Sequence, residues 1–158
     1  MKLDGRIEIA APAREVWDLI IDPVSLAACV PGVQDVSRVD ERTFRGTITA
    51  SVGPMEGRFA FMSRVERDVF PTDLQVETTG TDSITNSPLR ASVAAWLEST
   101  APDQTVLGYR ATVMVGGRLA ILGEMMLRAT AGMLIAELVK CLRARLEAGA
   151  PAVPERPT

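Results

Sequence analysis

The sequence contains no histidine, and this absence removes several classes of active site. Histidine is the commonest general base, belongs to the usual serine and cysteine catalytic triads, and is a frequent zinc ligand. The chain also has only two cysteines, Cys29 and Cys141, and neither has the C-x-x-C partner of a metal or redox site. The sequence therefore predicts no catalytic residue, no metal and no cofactor.

Two cysteines are also too few, and too far apart in the chain, for a disulfide framework. We expect both to be reduced and buried as small apolar side chains, which is typical of a reducing compartment. The N-terminal segment lacks the unbroken apolar core and the small-residue cleavage site of a secretory signal. These features predict a cytoplasmic protein, with peripheral contact at the inner face of the membrane left open.

Basic residues are neither in excess nor clustered, since 17 Lys and Arg against 20 Asp and Glu give a formal net charge of −3. Aromatic residues make up only 4% of the chain and do not alternate with basic ones. Binding to nucleic acid depends on basic surfaces, so no nucleic acid partner is predicted. The glycine-containing segments match no phosphate-binding fingerprint.

One long apolar stretch, residues 119–139, is interrupted by Glu124, Arg128, Thr130 and Glu137. Each charged residue near the middle of a membrane span would cost about 2.5–3.5 kcal/mol. The stretch therefore predicts a buried helix and not a transmembrane one.

Alternation of apolar and polar residues predicts strands over much of the chain. In residues 43–52, for example, Phe44 and Ile48 share one face, while Arg45 and Thr47 lie on the other. Strands are predicted at residues 3–9, 33–39, 43–52, 57–65, 74–78, 91–97 and 107–115. Residues 80–88 are polar and are expected to form a loop.

Two short helices are predicted after the first strand, at residues 16–21 and 24–30, and a proline-free helix at residues 118–147. Consecutive antiparallel strands form one meander, and the long helix must cover its apolar face. We therefore predict an α+β domain at residues 1–147, with a curved sheet of six to seven antiparallel strands around the long helix. Residues 148–158 are rich in proline and alanine and are predicted to be a disordered tail.

This order of elements resembles the G-subunit family of carbon monoxide dehydrogenase, within the START-like, helix-grip (SRPBCC) superfamily. The resembling segments are MKLDGRIEIAAPAREVWDLIIDP, LAACVPGV, VGP at residues 52–54 and VGGRLAILG at residues 115–123. The resemblance implies a cavity between helix and sheet that suits a lipid-like or quinone-like molecule. It also implies association with a molybdenum hydroxylase, such as carbon monoxide dehydrogenase, or with the membrane that it feeds.

The inward rows of the strands and one stripe of the long helix predict the residues that line such a cavity. Small inward residues such as Gly46, Ala50 and Ala111 face a helix rich in alanine and glycine, so we expect unfilled volume between them. The predicted ligand-binding residues are Phe44, Ile48, Phe59, Phe61, Val76, Tyr109, Val113, Leu119, Leu122, Met126, Ala129, Thr130, Met133 and Glu137.

Three polar members of this set have alternative interpretations. Thr130 and Glu137 project onto or near the helix stripe that is predicted to face the sheet, where they can address the polar head of a ligand. Alternatively, Glu137 lies at the border and reaches water or pairs with Lys140. Tyr109, the only tyrosine, is expected to be a core residue whose hydroxyl bonds to the backbone.

Two further sectors of the long helix are apolar, and they contain Ile121, Ile135 and Val139, and Leu127, Leu134 and Leu138. One sheet cannot cover three sectors, so we expect part of this surface to contact a second copy, another partner or a membrane. The sequence thus predicts a homo-oligomer, such as a dimer.

Together these features favour a non-catalytic carrier of a hydrophobic small molecule. The alternative is an interaction, maturation or membrane-recruitment subunit with a filled core, and a cyclase or lyase on the same fold is the third hypothesis. A wide apolar space would indicate the carrier, a filled interior the interaction subunit, and converging polar groups the enzyme.

Overall fold

Seven strands and three α-helices make up the computed structural model, which describes residues 1–147. The elements are β1 (Lys2–Ile9), α1 (Ala13–Ile20), α2 (Pro23–Ala27), β2 (Val33–Arg38), β3 (Thr43–Val52), β4 (Met55–Val69), β5 (Asp73–Asp82), β6 (Pro88–Ala101), β7 (Gln104–Val115) and α3 (Glu124–Glu147). A 3-10 helix at Gly117–Leu122, named here the 3-10 segment, connects β7 to α3. The tail predicted to be disordered lies outside the described residues.

All seven strands pair antiparallel in one sheet, in the order β1-β7-β6-β5-β4-β3-β2. Strands β2 to β7 follow chain order, as expected for strands connected by short turns, and β1 adds to β7 at the edge. The sheet curves around α3, which lies on its concave face. This arrangement confirms the predicted α+β class and the helix-grip fold.

Helix α3 runs alongside the edge strand β1 and is bonded to its backbone. Arg128 Nη1 donates a hydrogen bond to the carbonyl oxygen of Lys2 at 2.8 Å, and Arg143 Nε donates one to that of Glu8 at 3.1 Å. On the other side of the concave face, α3 also packs against β3. The helix is therefore supported from both sides of the sheet.

The opposite edge strand, β2, is short and irregular. Its pairing with β3 is interrupted by a bulge between Gln34 and Ser37. Within the bulge, Asp35 has a φ of 56°, a left-handed conformation that is uncommon for a residue other than glycine. A short, bulged and charged edge is a poor template for another strand.

The apolar core is concentrated at one end of the concave face, named here the Trp17 end. Its buried residues include Ile7, Ile9, Val16, Trp17, Leu97, Leu107, Leu142 and Leu146. The opposite end, named here the Leu119 end, has its own buried residues Val52, Phe59 and Leu119. It contains the β3–β4 and β5–β6 turns and the 3-10 segment.

A chain of hydrogen bonds holds the 3-10 segment against the β5–β6 turn. The backbone N–H of Leu119 donates to Ser87 Oγ at 3.1 Å, the Ser87 and Thr85 hydroxyls are 2.6 Å apart, and Thr85 Oγ1 donates to the Asp82 carboxylate at 2.5 Å. The backbone N–H of Arg58 donates to the same carboxylate at 2.7 Å. Burial opposes ionisation of Asp82, but these hydrogen bonds outweigh it and lower the pKa of Asp82 below its ordinary value.

The prediction of a loop at residues 80–88 is wrong at both ends, since β5 continues to Asp82 and β6 begins at Pro88. The polar composition of this segment has another cause. Asp82 and Ser87 are fully buried, and their side chains form the hydrogen bonds that fix the turn. Within the described residues, no helix combines the length and the apolar character needed to cross a membrane.

The long C-terminal helix is interrupted, so the prediction of one helix over residues 118–147 is wrong. Gly123 has a φ of 90°, which glycine adopts without steric strain, and it separates the 3-10 segment from α3. A 3-10 helix also has fewer residues per turn than an α-helix. A stripe projected through Leu119 therefore does not continue in phase along α3.

Cys29 and Cys141 form a disulfide bond, so the prediction of two reduced cysteines is wrong. Their Cα atoms are 5.3 Å apart, although the residues are separated by 112 positions in the chain. The bond joins the segment just after α2 to α3, and only the folded chain brings these elements together. The reducing compartment inferred from free thiols loses this support, and the cytoplasmic location stays a prediction.

Candidate functional site

Between the Trp17 end and the Leu119 end, the concave face of the sheet is only partly covered. Thr78 of β5, Val93 of β6 and Val113 of β7 lie on interior strands and on the same face as the core residues, yet each is only half-buried. In a filled core, such central positions would be close to fully buried. From this exposure we infer a space between α3 and the middle of the sheet that the described side chains do not fill, and we name it the gap.

All the predicted site residues on the strands lie on the concave face, namely Phe44, Ile48, Phe59, Phe61, Val76, Tyr109 and Val113. Phe59 is buried at the Leu119 end, and the others are half-buried. The alternation of side chains gave their direction correctly, because one face of each strand stays inward along the whole pairing register. Their role in binding a ligand stays a prediction.

Three of the predicted site residues near the start of α3 are at least half-buried. Leu119 is fully buried at the Leu119 end, and Leu122 and Met126 are half-buried. Met126 packs against the β3–β4 turn at Gly53, where a β-carbon would collide with its sulfur atom. These residues help to close the Leu119 end of the gap.

Ala129, Met133 and Glu137 lie on the outer side of α3, so the prediction that they face the sheet is wrong. All three are exposed, and Met133 keeps 52% of its surface accessible. The physical reason is the break at Gly123, which shifts the phase of the helix relative to a continuous projection from Leu119.

Thr130 is half-buried, but its hydroxyl does not point to a ligand head in partnership with Glu137. Thr130 Oγ1 donates to the backbone carbonyl of Met126 at 3.3 Å, and the carbonyl of Ser51 on β3 lies at 3.4 Å. The hydroxyl therefore fastens α3 to β3. The hypothesis of a Thr130–Glu137 head-group site is wrong.

The side of α3 that faces the sheet contains Leu127, Ala131, Leu134 and Leu138, which sequence reasoning missed as site residues. They are half-buried and repeat at helical spacing in line with Leu142, which is 1% exposed. The leucines belong to a sector that we predicted to lie away from the sheet, and that placement is wrong. The sequence did contain a signal for the side of α3 that faces the sheet, because a stripe of leucines lies opposite a stripe of Met, Ala and Gly.

The other sector predicted to contact a partner is also largely covered. Ile135 and Val139 are half-buried, and Val139 packs against the core. Ile121, in contrast, is 82% exposed. Homo-oligomerisation stays a prediction, and Ile121 is the member of these two sectors that still supports it.

A pair of hydroxyl groups lies on the apolar floor of the gap. Ser63 Oγ and Thr78 Oγ1 are 2.7 Å apart across β4 and β5, and Ser63 is only 5% exposed. Each hydroxyl can donate one hydrogen bond, and their mutual bond uses one of the two hydrogens. Within residues 1–147 neither side chain forms another hydrogen bond, so the pair retains a donor and accepting lone pairs for a ligand.

Tyr109 supplies a second polar group on the concave face. Its ring lies over Gly5 of β1, where a β-carbon would come within 2.8 Å of the Tyr109 hydroxyl oxygen. That hydroxyl bonds to no residue in the described part of the chain, contrary to the expected backbone partner. Burial, followed by the negative charge of Asp4, raises the pKa of Tyr109, so the phenol is protonated at neutral pH.

Among the described residues, the ionisable side chains on the concave face near the gap are Tyr109 and Asp82. Arg38 and Asp68, which pair with Phe44 and Leu74, lie on this face only at the Trp17 end, where both are exposed. Asp82 is fully buried under its hydrogen bonds, and along the inward row of β5 it is separated by Gly80 from Thr78 in the middle of the gap. A charged ligand would therefore lose its hydration without gaining a counter-charge, which is unfavourable. The gap suits an uncharged, mainly apolar molecule with a hydrogen-bonding group.

A second concavity of about 640 Å³ lies on the outer face of β3, β4 and β5. It is lined by short side chains, including Thr47, Ala60 and Thr79, and is flanked by Arg45 and Met62. It is broad, and all of these residues except Thr47 are exposed, so it offers little burial to an apolar ligand. The gap is the better candidate site.

A family model that describes the G subunit of carbon monoxide dehydrogenase (CoxG) matches residues 5–147. The match includes the last five of the eight residues of β1 and every later element through α3. No curated protein is similar enough to match the chain.

Several solved structures share the fold at low sequence identity. A conserved protein from Geobacillus kaustophilus is 22% identical with a TM-score of 0.85, and the alignment covers 93% of this chain and 95% of that one. A START superfamily protein from Mycobacterium smegmatis is 17% identical with a TM-score of 0.68, covering 94% and 99%. The Zhui aromatase/cyclase from a Streptomyces species is 15% identical with a TM-score of 0.66, covering 98% of each chain. At these identities the likeness establishes the fold alone.

Proposed function

Because the chain belongs to the CoxG family, named for the G subunit of carbon monoxide dehydrogenase, we propose that it is a non-catalytic binding protein that carries an uncharged, lipid-like or quinone-like molecule in the gap. Helix α3 forms the roof of the binding site, and β4 to β7 form its floor. The Trp17 end and the Leu119 end close it along the strands.

One observation carries this proposal: Thr78, Val93 and Val113 remain half-buried in the middle of the sheet, beneath a helix. An empty apolar cavity in a protein core destabilises the fold by about 24 cal/mol per Å³. A fold that keeps such a space between two well-packed ends is more stable when an apolar ligand occupies it.

The Ser63–Thr78 pair is the proposed contact for the polar group of the ligand. Its free O–H can donate to a carbonyl or ether oxygen, and that bond satisfies a donor that has no partner in the described chain. The protonated phenol of Tyr109 is a second neutral donor further along the concave face. Both groups favour a neutral hydrogen-bond acceptor in the ligand.

The physiological partner proposed here is a molybdenum hydroxylase such as carbon monoxide dehydrogenase, and family membership is the support for it. A carrier of an uncharged redox molecule or lipid suits such an enzyme, because it moves an insoluble compound between the enzyme and the membrane. The interaction subunit with a filled core is the competing function, and the half-buried floor of the gap argues against it.

A cyclase or lyase is disfavoured by the residues around the gap. The hydroxyls of Ser63, Thr78 and Tyr109 have no neighbouring general base on the concave face of the described chain, apart from Asp82, which is occupied by hydrogen bonds. Acid–base catalysis needs a proton acceptor within reach of the reacting group.

The decisive experiment is extraction of the purified full chain with organic solvent, followed by mass spectrometry, for the wild type and Ala91→Trp. Ala91 pairs with both Thr78 and Val113 and faces the gap, so an indole at this position occupies the ligand space. We expect an uncharged amphiphile from the wild type and at least a tenfold smaller amount, about what loss of 1.4 kcal/mol of binding gives, from the variant.

The matched control is Ala94→Trp on the outer face of the same strand, which we expect to leave ligand content unchanged. Urea unfolding of the same variants separates the two leading functions. In an open gap, Ala91→Trp leaves the free energy of unfolding of the ligand-free protein nearly unchanged. A loss of about 1–3 kcal/mol by overpacking, with no ligand recovered from the wild type, would indicate a filled core instead.

A further inference from the structure

Helix α3, the roof of the gap, is held differently along its two sides. On the side of β1, the guanidinium groups of Arg128 and Arg143 donate to strand carbonyls at 2.8 and 3.1 Å. On the opposite side, Thr130 Oγ1 lies 3.4 Å from a carbonyl of β3, and the disulfide bond joins Cys141 to Cys29. Within residues 1–147, no hydrogen bond or ion pair joins α3 to α2 or β2. The disulfide is therefore the specific link between the roof and that part of the chain.

The edge of α3 between these two links is uncovered. Thr130 and Cys141 are eleven residues apart, or about 16 Å along the helix axis. Met133 and Glu137 lie between them on the same side of the helix, at helical spacing. Met133 is 52% exposed, and Glu137 is exposed and forms no ion pair in the described part of the chain. This edge of the roof is thus fixed at two points and open between them.

The sheet beneath this edge is also incompletely covered. Val33 of β2 pairs with Ile48 of β3 on the concave face, and both are half-buried. Phe44 and Phe61, further along the same face of β3 and β4, are half-buried as well. Apolar side chains below an uncovered helix edge indicate a lateral opening of the gap. We name this opening, between α3 and residues 29–33, the portal.

The segment on the far side of the portal has few bonds to the rest of the molecule. Helix α2 has only five residues, and its N-cap Asp22 bonds locally to the backbone of Val24 at 3.2 Å. The connection from α2 to β2 is joined to β3 by the backbone N–H of Thr49, which donates to Gly32 at 3.1 Å. Strand β2 itself is an edge strand with a bulge. Segments with few hydrogen bonds open most easily, so this one can move once it is released from α3.

The disulfide is accessible to a reductant through Cys141, which is half-buried, whereas Cys29 is only 4% exposed. A thiolate of a dithiol attacks Cys141 Sγ and forms a mixed disulfide, and Cys29 leaves as a thiolate that takes up a proton. The second thiol of the reductant then displaces Cys141 and closes the reductant's own disulfide. The protein gains two electrons and two protons, and the dithiol loses them.

We propose that the Cys29–Cys141 disulfide is a redox latch on the portal. In the oxidised protein the bond holds the segment after α2 against α3, so the ligand is retained. Reduction by a dithiol frees this segment, widens the portal and speeds exchange of the ligand. The proposal rests on the carrier function of the gap and adds the chemical condition under which the carrier releases its ligand.

The test measures how fast the full-length protein releases Nile red, an uncharged apolar dye with a carbonyl group, to excess methyl-β-cyclodextrin. Oxidised wild type is compared with wild type reduced by dithiothreitol, after a thiol assay has confirmed reduction. We expect reduction to raise the release rate about tenfold or more, because opening no longer requires the cross-linked segments to stay together. Cys29→Ser combined with Cys141→Ser should release the dye rapidly with and without the reductant.

Thr105→Val is the matched control for a general loss of stability. The buried hydroxyl of Thr105 donates to the carbonyl of Ala11 at 2.7 Å, so its removal weakens the Trp17 end without removing a bond of α3. This variant should release the dye as slowly as wild type when oxidised and as rapidly when reduced. Rapid release by the oxidised variant would show that lower stability alone opens the gap, and this would overturn the latch.

Hydrogen–deuterium exchange of the protein without dye gives a second measurement that does not depend on binding. Reduction should raise exchange in residues 24–38 and 131–141 and leave residues 80–88, at the Leu119 end, unchanged. Equal release rates in the two redox states, or unchanged exchange in residues 24–38, would overturn the latch. Failure of the wild type to hold the dye in either redox state would instead contradict the carrier function on which the latch depends.

Discussion

Thr78 is the residue whose replacement most directly tests the polar contact in the gap. Thr78→Val keeps the shape of the side chain and removes the hydroxyl that pairs with Ser63. We expect the amount of the extracted ligand retained per protein chain to fall about two- to tenfold under competition with wild type, since one hydrogen bond contributes about 0.5–1.5 kcal/mol.

Thr79→Val is the control for that change, because Thr79 is the next residue of β5 and is exposed on the outer face. Retention of the ligand is measured by mass spectrometry after dialysis of a mixture of variant and wild type. Equal retention by the Thr78 and Thr79 variants would show that the hydroxyl pair does not contact the ligand.

At the residue scale, the sequence predicted the face of the sheet on which a side chain lies better than it predicted which residues contact each other. Phe61 and Val113 are inward because strand alternation fixes the face of every second residue. The contact between Ser63 and Thr78 was not predictable, because it depends on the register of β4 against β5. That register is set by the whole sheet and contains an irregularity between Val65 and Arg67.

At the scale of elements, the β5–β6 turn and the 3-10 segment behave as one unit held by Asp82. Folding lowers the pKa of this carboxyl, so its contribution to stability is present at pH values above the unfolded pKa of about 3.9 and is lost as the pH falls through the folded value. Asp82→Asn should reduce the free energy of unfolding by about 1–3 kcal/mol at neutral pH.

The pH dependence distinguishes this charge effect from a loss of packing. The difference in unfolding free energy between wild type and Asp82→Asn, measured by urea denaturation, should be constant above about pH 5 and shrink below about pH 4. Asp103→Asn, an exposed change in the β6–β7 turn, serves as the control. A difference that does not change with pH would contradict the role of the carboxylate charge.

The phase of α3 shows why element-scale prediction failed where it did. Both sides of the helix are apolar, so the choice between the leucine stripe and the methionine stripe depended on extrapolation from Leu119. That extrapolation fails because the helix is interrupted at Gly123. A glycine in a helical pattern does not by itself reveal that the chain takes a positive φ there.

At the scale of the whole molecule, the disulfide bond links the segment after α2 to α3 and encloses most of the sheet within its loop. A cross-link between residues 112 positions apart restricts the unfolded chain strongly, with a typical stabilisation of about 2–4 kcal/mol. We expect a reducing agent to lower the urea midpoint of the wild type accordingly.

Reduction of the wild type is the cleanest comparison, because it removes no buried atoms from Cys29, which is only 4% exposed. The double variant Cys29→Ser with Cys141→Ser should show no response to the reducing agent. An identical wild-type midpoint with and without reductant, after a thiol assay has confirmed reduction, would contradict a stabilising bond. The sequence did not predict this pairing, because the proximity of the two thiols is a property of the completed fold.

The structure of the two edge strands, β1 and β2, limits how copies of this protein can assemble. Arg128 and Arg143 occupy backbone carbonyls of β1, and the bulge at Asp35 disrupts the ladder of β2. Neither border presents a regular row of free peptide groups to a neighbouring molecule, so a continuous intermolecular ladder is disfavoured. A homo-oligomer of this chain is therefore expected to form through side-chain contacts, and α3, which bonds to the carbonyls of β1, also protects that edge against fibre-like growth.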